Sequence, residues 1–241
     1  RLRSRGLGDV YKRQATDRKK IFEAVFKTFD EHKTTYATIY NNVLQTNKAT
    51  SKARNYDSVL ESYLYNDNIP TKVFTNLIEV AGKYNKSLKK YIRLRKKYLG
   101  LKQYHTYDRF LELAHSNKEY TYEEAKELFF HSISQFPQDF QDKAHEVLRD
   151  GFVDVMEKVG KRTGAYSSSV ANLHPFILLN FDHTLDSVFT VAHEAGHSIH
   201  SMYATQTQPT MLQDYTIFVA EIASTFNEHT LLDYFLSLPD A

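Results

Sequence analysis

The chain has 241 residues, a formal net charge of +2 and no cysteine. So small a charge does not favour nucleic acid or an anionic membrane as the main partner, because proteins that bind these usually carry a strong basic excess on one face. Without cysteine, disulfides and thiolate metal sites are excluded, and any metal must be held by histidine and carboxylate side chains.

The sequence contains neither the roughly 20 consecutive apolar residues of a membrane-spanning helix nor the apolar region of a signal peptide. We therefore predict a cytoplasmic protein that binds neither nucleic acid nor membranes. Residues 1–14 are basic and show no helical or strand period. We interpret them as a leader, either non-native or disordered, that has no function.

From Thr16 to residue 160, apolar and aromatic residues recur three and four positions apart, which predicts helices almost throughout. A long first helix is predicted to reach about Leu44, where the polar segment 45–55 interrupts the pattern. A second, shorter helix is predicted over residues 56–64.

A third helix is predicted to open at Pro70 and to run to about Tyr98. Proline suits the first turn of a helix, and Gly100 is placed to end this one. Thr121 and Glu124 then form a capping-box pattern, which predicts the start of another helix.

Pro137 ends that helix, and a further helix is predicted from residue 140 to about residue 159. The short apolar run 176–179 then follows Pro175, which favours a strand. We predict an edge strand, because proline cannot donate to a ladder. Thr184 is predicted to cap the next helix.

That helix contains the segment TVAHEAGHSIH, residues 190–200. Ionisable side chains on so apolar a helix cost several kcal/mol each on burial unless something compensates them. His193 and His197 share one face, about 6 Å apart along the axis, so both imidazoles can bind one zinc ion. Glu194 can reach a water on that zinc and act as the general base of a hydrolase. Gly196 leaves the helix surface bare beside the site.

A third zinc ligand has to come from elsewhere in the chain. His200 lies about 10 Å from His193 along the axis, so we place it in the surroundings of the site. Glu221 interrupts an apolar series in the last predicted helix, 217–236, as the histidines interrupt theirs. It is a better choice than Glu228, which lies in a polar segment where a solvated or supporting role is ordinary.

Four segments of the chain resemble the oligoendopeptidase F branch of the thimet-oligopeptidase-like family of zinc metallopeptidases. They are GKRTGAYSSS, HPFILLNF, TLDSVFTVAHEAGHSIHSMYA and FVAEIASTFNEHTL. The resemblance implies a mainly α, zincin-like fold, in which a helical lobe carries a small edge β-sheet beside the active-site helix. It implies one Zn²⁺ per chain with His193, His197 and Glu221 as the metal ligands, and Glu194 as the general base. The implied activity is that of a metalloendopeptidase acting on oligopeptides.

The resemblance also implies where a peptide binds. HPFILLNF would line the cleft, where an extended peptide can add as a further strand. Gly164, Ala165 and Tyr166 would lie nearby as substrate-binding residues. The alternative for these three residues, a turn that only joins helix to strand, stays open.

Members of that family are much longer, so the resemblance implies a partial chain. Residues 15–241 would form the N-terminal part of the catalytic domain, helical over 15–160, with the strand and the zinc-site helices in 161–241. The histidine and tyrosines that bind substrate in the family lie beyond the last residue. Because each missing donor lowers the rate by about 10² to 10³, we expect the chain alone to be weak or inactive.

Two other functions remain open at this point. A zinc carboxypeptidase or dipeptidase would have similar chemistry but would need a charged subsite for a peptide terminus. A non-catalytic helical interaction module, in which the H-E-x-x-H motif is accidental, would bind no zinc.

Overall fold

The computed structural model describes residues 14–113, 118–170 and 173–239. The predicted leader, apart from its last residue, lies outside the described residues. The chain forms two compact units, residues 1–116 and 117–241. Within the described ranges, every helix is too short or too polar to cross a membrane.

The described residues of the first unit form five helices and a short 3₁₀ turn. The helices are α1 (Ala15–Glu31), α2 (Lys33–Ala53), α3 (Val59–Tyr65), α4 (Thr71–Tyr84) and α5 (Lys86–Tyr98), and the 3₁₀ turn is Thr106–Asp108. As predicted, the helix before Gly100 stops there, and the glycine has a positive φ of 62°. Such a left-handed residue is a common helix terminator.

The predicted interruption of the first helix at Leu44 is wrong. The break falls at His32, and α2 continues through most of the polar segment 45–55. That segment has neither glycine nor proline, and its polar residues cost at most about 0.7 kcal/mol each in a helix relative to alanine. The helix stops just before Asn55, whose φ is 62°. The predicted third helix likewise divides at Asn85.

A buried ion pair joins α1 to the 3₁₀ turn. The Nη2 and Nε atoms of Arg18 donate to Asp108 Oδ1 over 2.8 and 3.1 Å. The other carboxylate oxygen of Asp108 accepts from the backbone N–H of His105 at 2.9 Å. Because charge-assisted hydrogen bonds are directional as well as strong, the pair fixes which turn of α1 meets this segment.

The second unit is a mixed arrangement of helices around a small sheet. Its elements are α6 (Tyr122–Ser132), α7 (Gln138–Val147), β1 (Val153–Met156), β2 (Tyr166–Ser168), β3 (Phe176–Phe181), α8 (Leu185–Thr207), a 3₁₀ turn (Thr210–Leu212) and α9 (Ile217–Ser237). The predicted capping box is confirmed, since the Thr121 and Glu124 side chains each bind the other residue's backbone N–H. The prediction of a mainly helical fold with a small sheet beside the motif helix is also confirmed.

The helix predicted to run to residue 159 is wrong in its second half. It ends at Val147, and the chain turns at Gly151, whose φ is 88°. Residues 153–156 form a strand in which Val153 and Val155 point inward and their neighbours outward. Two valines two positions apart, after an Asp-Gly turn, are typical of a strand. They also fit the helical period, which is why the predicted helix included them.

The three strands lie in the order β1-β3-β2, with β1 parallel and β2 antiparallel to β3. The prediction that residues 176–179 form an edge strand is therefore wrong, because β3 is the central strand. Pro175 precedes the first paired residue, Phe176, which lies opposite Ser168. Its missing N–H therefore costs the ladder nothing.

Helix α8 is the centre of the second unit, packed against α6, α7, β3 and α9. Its apolar face supplies much of a core that also draws on the other elements. The fully buried larger apolar side chains are Phe129, Ile133, Val147, Leu179, Val188, Val191, Ile199 and Leu231. The histidines of the motif are therefore held on the most rigidly packed helix of this unit.

Candidate metal centre

The start of the motif helix is fixed by a local hydrogen-bond network. The predicted cap is confirmed, since Thr184 Oγ1 accepts from the backbone N–H of Ser187 at 3.3 Å. The hydroxyls of Thr184 and Ser187 both donate to Asp182 Oδ1 at 2.6 Å. Capping satisfies N–H groups that have no partner inside the helix, so α8 begins at a defined residue and the motif begins two turns later.

Three ligand atoms converge at the middle of α8. His193 Nε2 and His197 Nε2 lie 3.2 Å apart, and Glu221 Oε2 from α9 lies 3.5 and 3.6 Å from them. Zinc bonds of about 2.0 to 2.1 Å in a tetrahedral site place neighbouring ligand atoms about 3.3 to 3.4 Å apart. The triangle therefore has the size that a tetrahedral zinc ion needs, and the three residues are the ones chosen from the sequence.

Glu228 orients the first histidine. Its Oε1 lies 2.5 Å from His193 Nδ1. Because an ionised carboxylate can only accept, Nδ1 carries the proton and the lone pair of Nε2 faces the other two ligand atoms. Glu228, the competing candidate for the third ligand, thus lies on the far side of the imidazole and supports it.

Glu221 is held mainly by the helix that carries it. Its side chain is half exposed, and Ser224 Oγ donates to Oε2 at 2.8 Å. Ser224 itself is completely buried. The position of the carboxylate therefore depends on where α9 crosses α8 rather than on close packing around Glu221.

Gly196 sets that crossing. The expectation that it leaves the helix surface bare is wrong, because α9 covers it. A Cβ at this position would lie 2.9 Å from the backbone atoms Ala223 O and Ser224 Cα, and 2.8 Å from Asn227 Nδ2. Only a residue without a side chain allows the two helix backbones to approach so closely, and this approach brings Glu221 to the histidines.

Glu194 is the buried carboxylate of the site. It is 5% exposed, and its Oε2 is buried with no hydrogen-bond partner among the described residues. Burial raises the pKa of this carboxyl to about 6, against the opposing influence of His193 and of a hydrogen bond from the Ser167 backbone. A carboxylate with such a pKa can take up and return a proton near neutral pH.

Burial also acts on the other histidines of the helix. It lowers the pKa of His197, and the neighbouring His193 lowers it further. The neutral imidazole that a metal requires is therefore favoured. His200 is not one of the converging residues: its ring stacks on Tyr215 with centroids 3.8 Å apart, and burial lowers its pKa too.

A cleft opens over these groups. A cavity of about 490 Å³ is lined by Glu194, the motif histidines, Tyr215 and the strand β2, and a neighbouring cavity of about 280 Å³ shares Ala165, His193 and Glu194 with it. The strand facing the cleft is therefore β2, and the prediction that residues 174–181 line it is wrong. The central strand β3 is already paired on both sides.

The three predicted substrate-binding residues differ in whether they line the cleft. Ala165 and Tyr166 line the larger cavity, whereas Gly164 is not among its lining residues. Gly164 has a φ of 85°, and its carbonyl accepts from Asn180 Nδ2 at 2.7 Å. For Gly164 the alternative of a turn into the strand describes the structure, because such a φ favours glycine.

Comparison with known proteins identifies the family. The model of Peptidase family M3 matches residues 10–238. The chain belongs to peptidase family M3. This M3 chain is 38% identical over 221 residues to oligopeptidase PepF from Bacillus subtilis (strain 168). The match covers 91% of this chain and 33% of that protein. The chain is 34% identical over 219 residues to an oligoendopeptidase F homolog from Lactococcus lactis subsp. lactis (strain IL1403), covering 91% and 36%.

Solved structures agree with this assignment. A Chlamydophila abortus protein assigned as a peptidase matches the M3 chain with a TM-score of 0.81 and 37% identity, over 98% of this chain and 40% of that one. Oligoendopeptidase-F from Enterococcus faecium matches with a TM-score of 0.64 and 25% identity, over 95% and 34%. The M3 chain spans about a third of the length of the curated relatives it matches.

Sequence reasoning missed several residues that support the site in this M3 chain. Ser224 lies in a largely apolar segment, and Tyr215 is one of 17 tyrosines in the sequence. Hydroxyl side chains in helices and loops follow no sequence pattern that would single out these two residues. Ser167 acts on Glu194 through its backbone, which no side-chain pattern can reveal. For Gly196 the signal was present, since a glycine inside a helix costs about 1 kcal/mol relative to alanine and asks for a packing reason.

Proposed function

We propose that this chain carries the catalytic zinc site of a metalloendopeptidase that hydrolyses oligopeptides. The observation that carries the proposal is the triangle of His193 Nε2, His197 Nε2 and Glu221 Oε2, with edges of 3.2 to 3.6 Å. The buried carboxylate of Glu194 lies beside it. Two imidazoles and one carboxylate, with a position left open, are a donor set typical of catalytic zinc.

In this proposal each residue has a defined part. His193, His197 and Glu221 would hold one Zn²⁺ per chain. When bound, zinc would act as a Lewis acid that lowers the pKa of a water molecule and polarises the scissile carbonyl. Glu194 Oε2 accepts the proton of the attacking water and passes it to the leaving amide nitrogen, and Glu228 keeps His193 in the tautomer that the site needs.

The cleft supports an extended peptide as substrate. Among the described strands, β2 lies at an edge of the sheet and pairs with β3 alone, and its residues line the larger cavity. An extended peptide can bind along such an edge through main-chain hydrogen bonds. We propose that residues 15–241 form the N-terminal part of the catalytic domain, and that Ala165 and Tyr166 contact the substrate.

The alternatives have less support. A carboxypeptidase needs a cation for the terminal carboxylate, and among the described residues that line the two cavities there is neither lysine nor arginine. An accidental motif gives no reason for three ligand atoms to converge. The predicted cytoplasmic location and the absence of a nucleic-acid partner stay predictions.

Peptide cleavage by the zinc-loaded chain tests the proposal. Two copies of one oligopeptide, with a free and with an amidated C-terminus, are incubated with concentrated protein, and the products are identified by mass spectrometry. We expect slow internal cuts in both peptides, because the chain carries the proposed base and metal ligands but spans only part of its relatives. Glu194→Gln should keep its zinc and lose the cleavage.

Two results would count against this account. Release of single residues from the free terminus only would favour a carboxypeptidase. Cleavage that survives both a chelator and Glu194→Gln would refute the zinc mechanism.

A further inference from the structure

One tyrosine joins the two helices that bear the candidate ligands. Tyr215 lies two residues before α9, in the connection that follows α8. Its hydroxyl lies 3.2 Å from the backbone oxygen of His197 and 2.9 Å from Ser201 Oγ. The entry to α9 is therefore attached to the very turn of α8 that presents His197.

The direction of these hydrogen bonds follows from their chemistry. A backbone carbonyl can only accept, so the Tyr215 O–H donates to His197 O and accepts from the Ser201 hydroxyl. Within α8 the His197 carbonyl also faces the N–H four residues on, and its second lone pair is available to the tyrosine. A phenolic hydroxyl is protonated at neutral pH, so it remains a donor.

The ring of Tyr215 has a separate contact. It stacks on the His200 imidazole at 18°, which holds the ring whether or not the hydroxyl is present. The hydroxyl is thus the part of the side chain that acts on the backbone next to a ligand, and the ring is the part that packs.

The consequence concerns the position of Glu221. Two contacts between α8 and the segment that carries Glu221 lie on either side of that residue: the Tyr215 hydroxyl at the entry of α9, and the Gly196 crossing beyond Glu221. The Glu221 side chain is half exposed, so its position depends on how α9 is held at these contacts. Removal of the Tyr215 hydroxyl would remove the contact nearest the start of α9.

We infer that Tyr215 is a positioning residue of the metal site, whose hydroxyl sets the separation between Glu221 and the two histidines. The inference rests on the proposed zinc site and adds a residue that the motif does not contain. It assigns to Tyr215 an effect on metal affinity and ligand geometry that is separate from its packing. Residues that orient metal-binding side chains typically contribute roughly 10- to 100-fold to metal affinity.

Cobalt binding tests this inference, because Co²⁺ accepts nitrogen and oxygen ligands and its visible spectrum reports ligand geometry. Tyr215→Phe removes the hydroxyl and keeps the stacked ring. Tyr203→Phe is the matched control: it removes a hydroxyl from α8 itself, one that donates to Asp139 Oδ2 at 2.7 Å. The readouts are the Co²⁺ Kd from chelator competition, the Co²⁺ spectrum and the thermal midpoint of the metal-free protein.

We expect Tyr215→Phe to raise the Co²⁺ Kd on the order of tenfold and to change the spectrum, while Tyr203→Phe leaves both as in the wild type. A wild-type Kd and spectrum in Tyr215→Phe would overturn the inference. So would equal losses in both variants that follow their thermal midpoints, since packing alone would then explain them. If the folded wild-type chain binds no Co²⁺, the proposed zinc site fails as well.

Discussion

At the scale of single residues, the site depends on which atom each side chain presents. A histidine can offer either ring nitrogen to a cation, and Glu228 removes that choice for His193 by accepting from Nδ1 at 2.5 Å. Glu194 differs from Glu221 and Glu228 in being buried, which raises its pKa to about 6. In the proposed site the same residue type would thus serve as ligand, base or support according to its surroundings.

The role of Glu228 gives a prediction for one residue. Glu228→Gln keeps the shape of the side chain but replaces a charged acceptor with a neutral one, so His193 is held less firmly and its Nε2 becomes less basic. We expect zinc affinity to fall on the order of tenfold in chelator competition. Asp233→Asn, an exposed residue of the same helix that loses the same charge, should bind zinc like the wild type; equal affinities in the two variants would contradict the assignment.

Much of the site was predictable at this scale because the motif is local. His193, Glu194 and His197 lie within five residues, where helical geometry fixes their relation without knowledge of the fold. Glu221 could be chosen because a carboxylate among apolar residues needs a reason. The contacts of Ser224, Tyr215 and Ser167 could not be found this way, since they depend on which elements meet.

At the scale of elements, the crossing of α8 and α9 decides the geometry. The two helices approach closely at Gly196, and its missing side chain allows the packing in which the Glu221 oxygen lies 3.5 Å from His193. Close packing turns a small change at such a point into a shift of a whole helix. The candidate site is therefore expected to be sensitive to a methyl group added at Gly196.

This sensitivity gives a prediction for the helix crossing. In Gly196→Ala the new methyl group meets the backbone at Ala223 O and Ser224 Cα, so α9 has to move away. We expect the free energy of unfolding to fall by about 1 to 3 kcal/mol in urea titration, and zinc affinity to fall with it.

The matched control is Gly82→Ala in α4, where an added Cβ has no neighbour within 4 Å. The same substitution should there raise the free energy of unfolding by about 0.5 to 1 kcal/mol, because alanine favours the helix. Wild-type stability and zinc affinity in Gly196→Ala would show that the crossing does not set the site.

Sequence patterns predicted the existence of most elements better than their limits. Capped starts such as Thr121 and Thr184 were found because capping has a local chemical cause. The strand β1 was missed because its two inward valines also fit a helical period over so few residues. The central place of β3 depends on pairing with segments on both sides, which Pro175 alone cannot indicate.

At the scale of the whole molecule, the described residues that form the candidate site all belong to the second unit. The residues that build it lie between Ala165 and Glu228. Large apolar side chains remain exposed in both units, among them Leu77, Ile78 and Phe226. Helical periodicity predicts that such residues share a face, but it does not state what covers that face.

We propose that one zinc ion binds this chain through His193, His197 and Glu221. The most direct measurement is elemental analysis of zinc per chain on protein lacking residues 1–14 and shown to be folded by circular dichroism. Glu221→Ala is analysed beside it, with Glu127→Ala, an exposed carboxylate of α6, as the control.

We predict about one zinc per chain in the wild type and in Glu127→Ala, and strong loss in Glu221→Ala, because two imidazoles alone leave the ion without its third protein ligand. A folded wild-type chain that contains no zinc, or a Glu221→Ala variant that retains it fully, would contradict the claim.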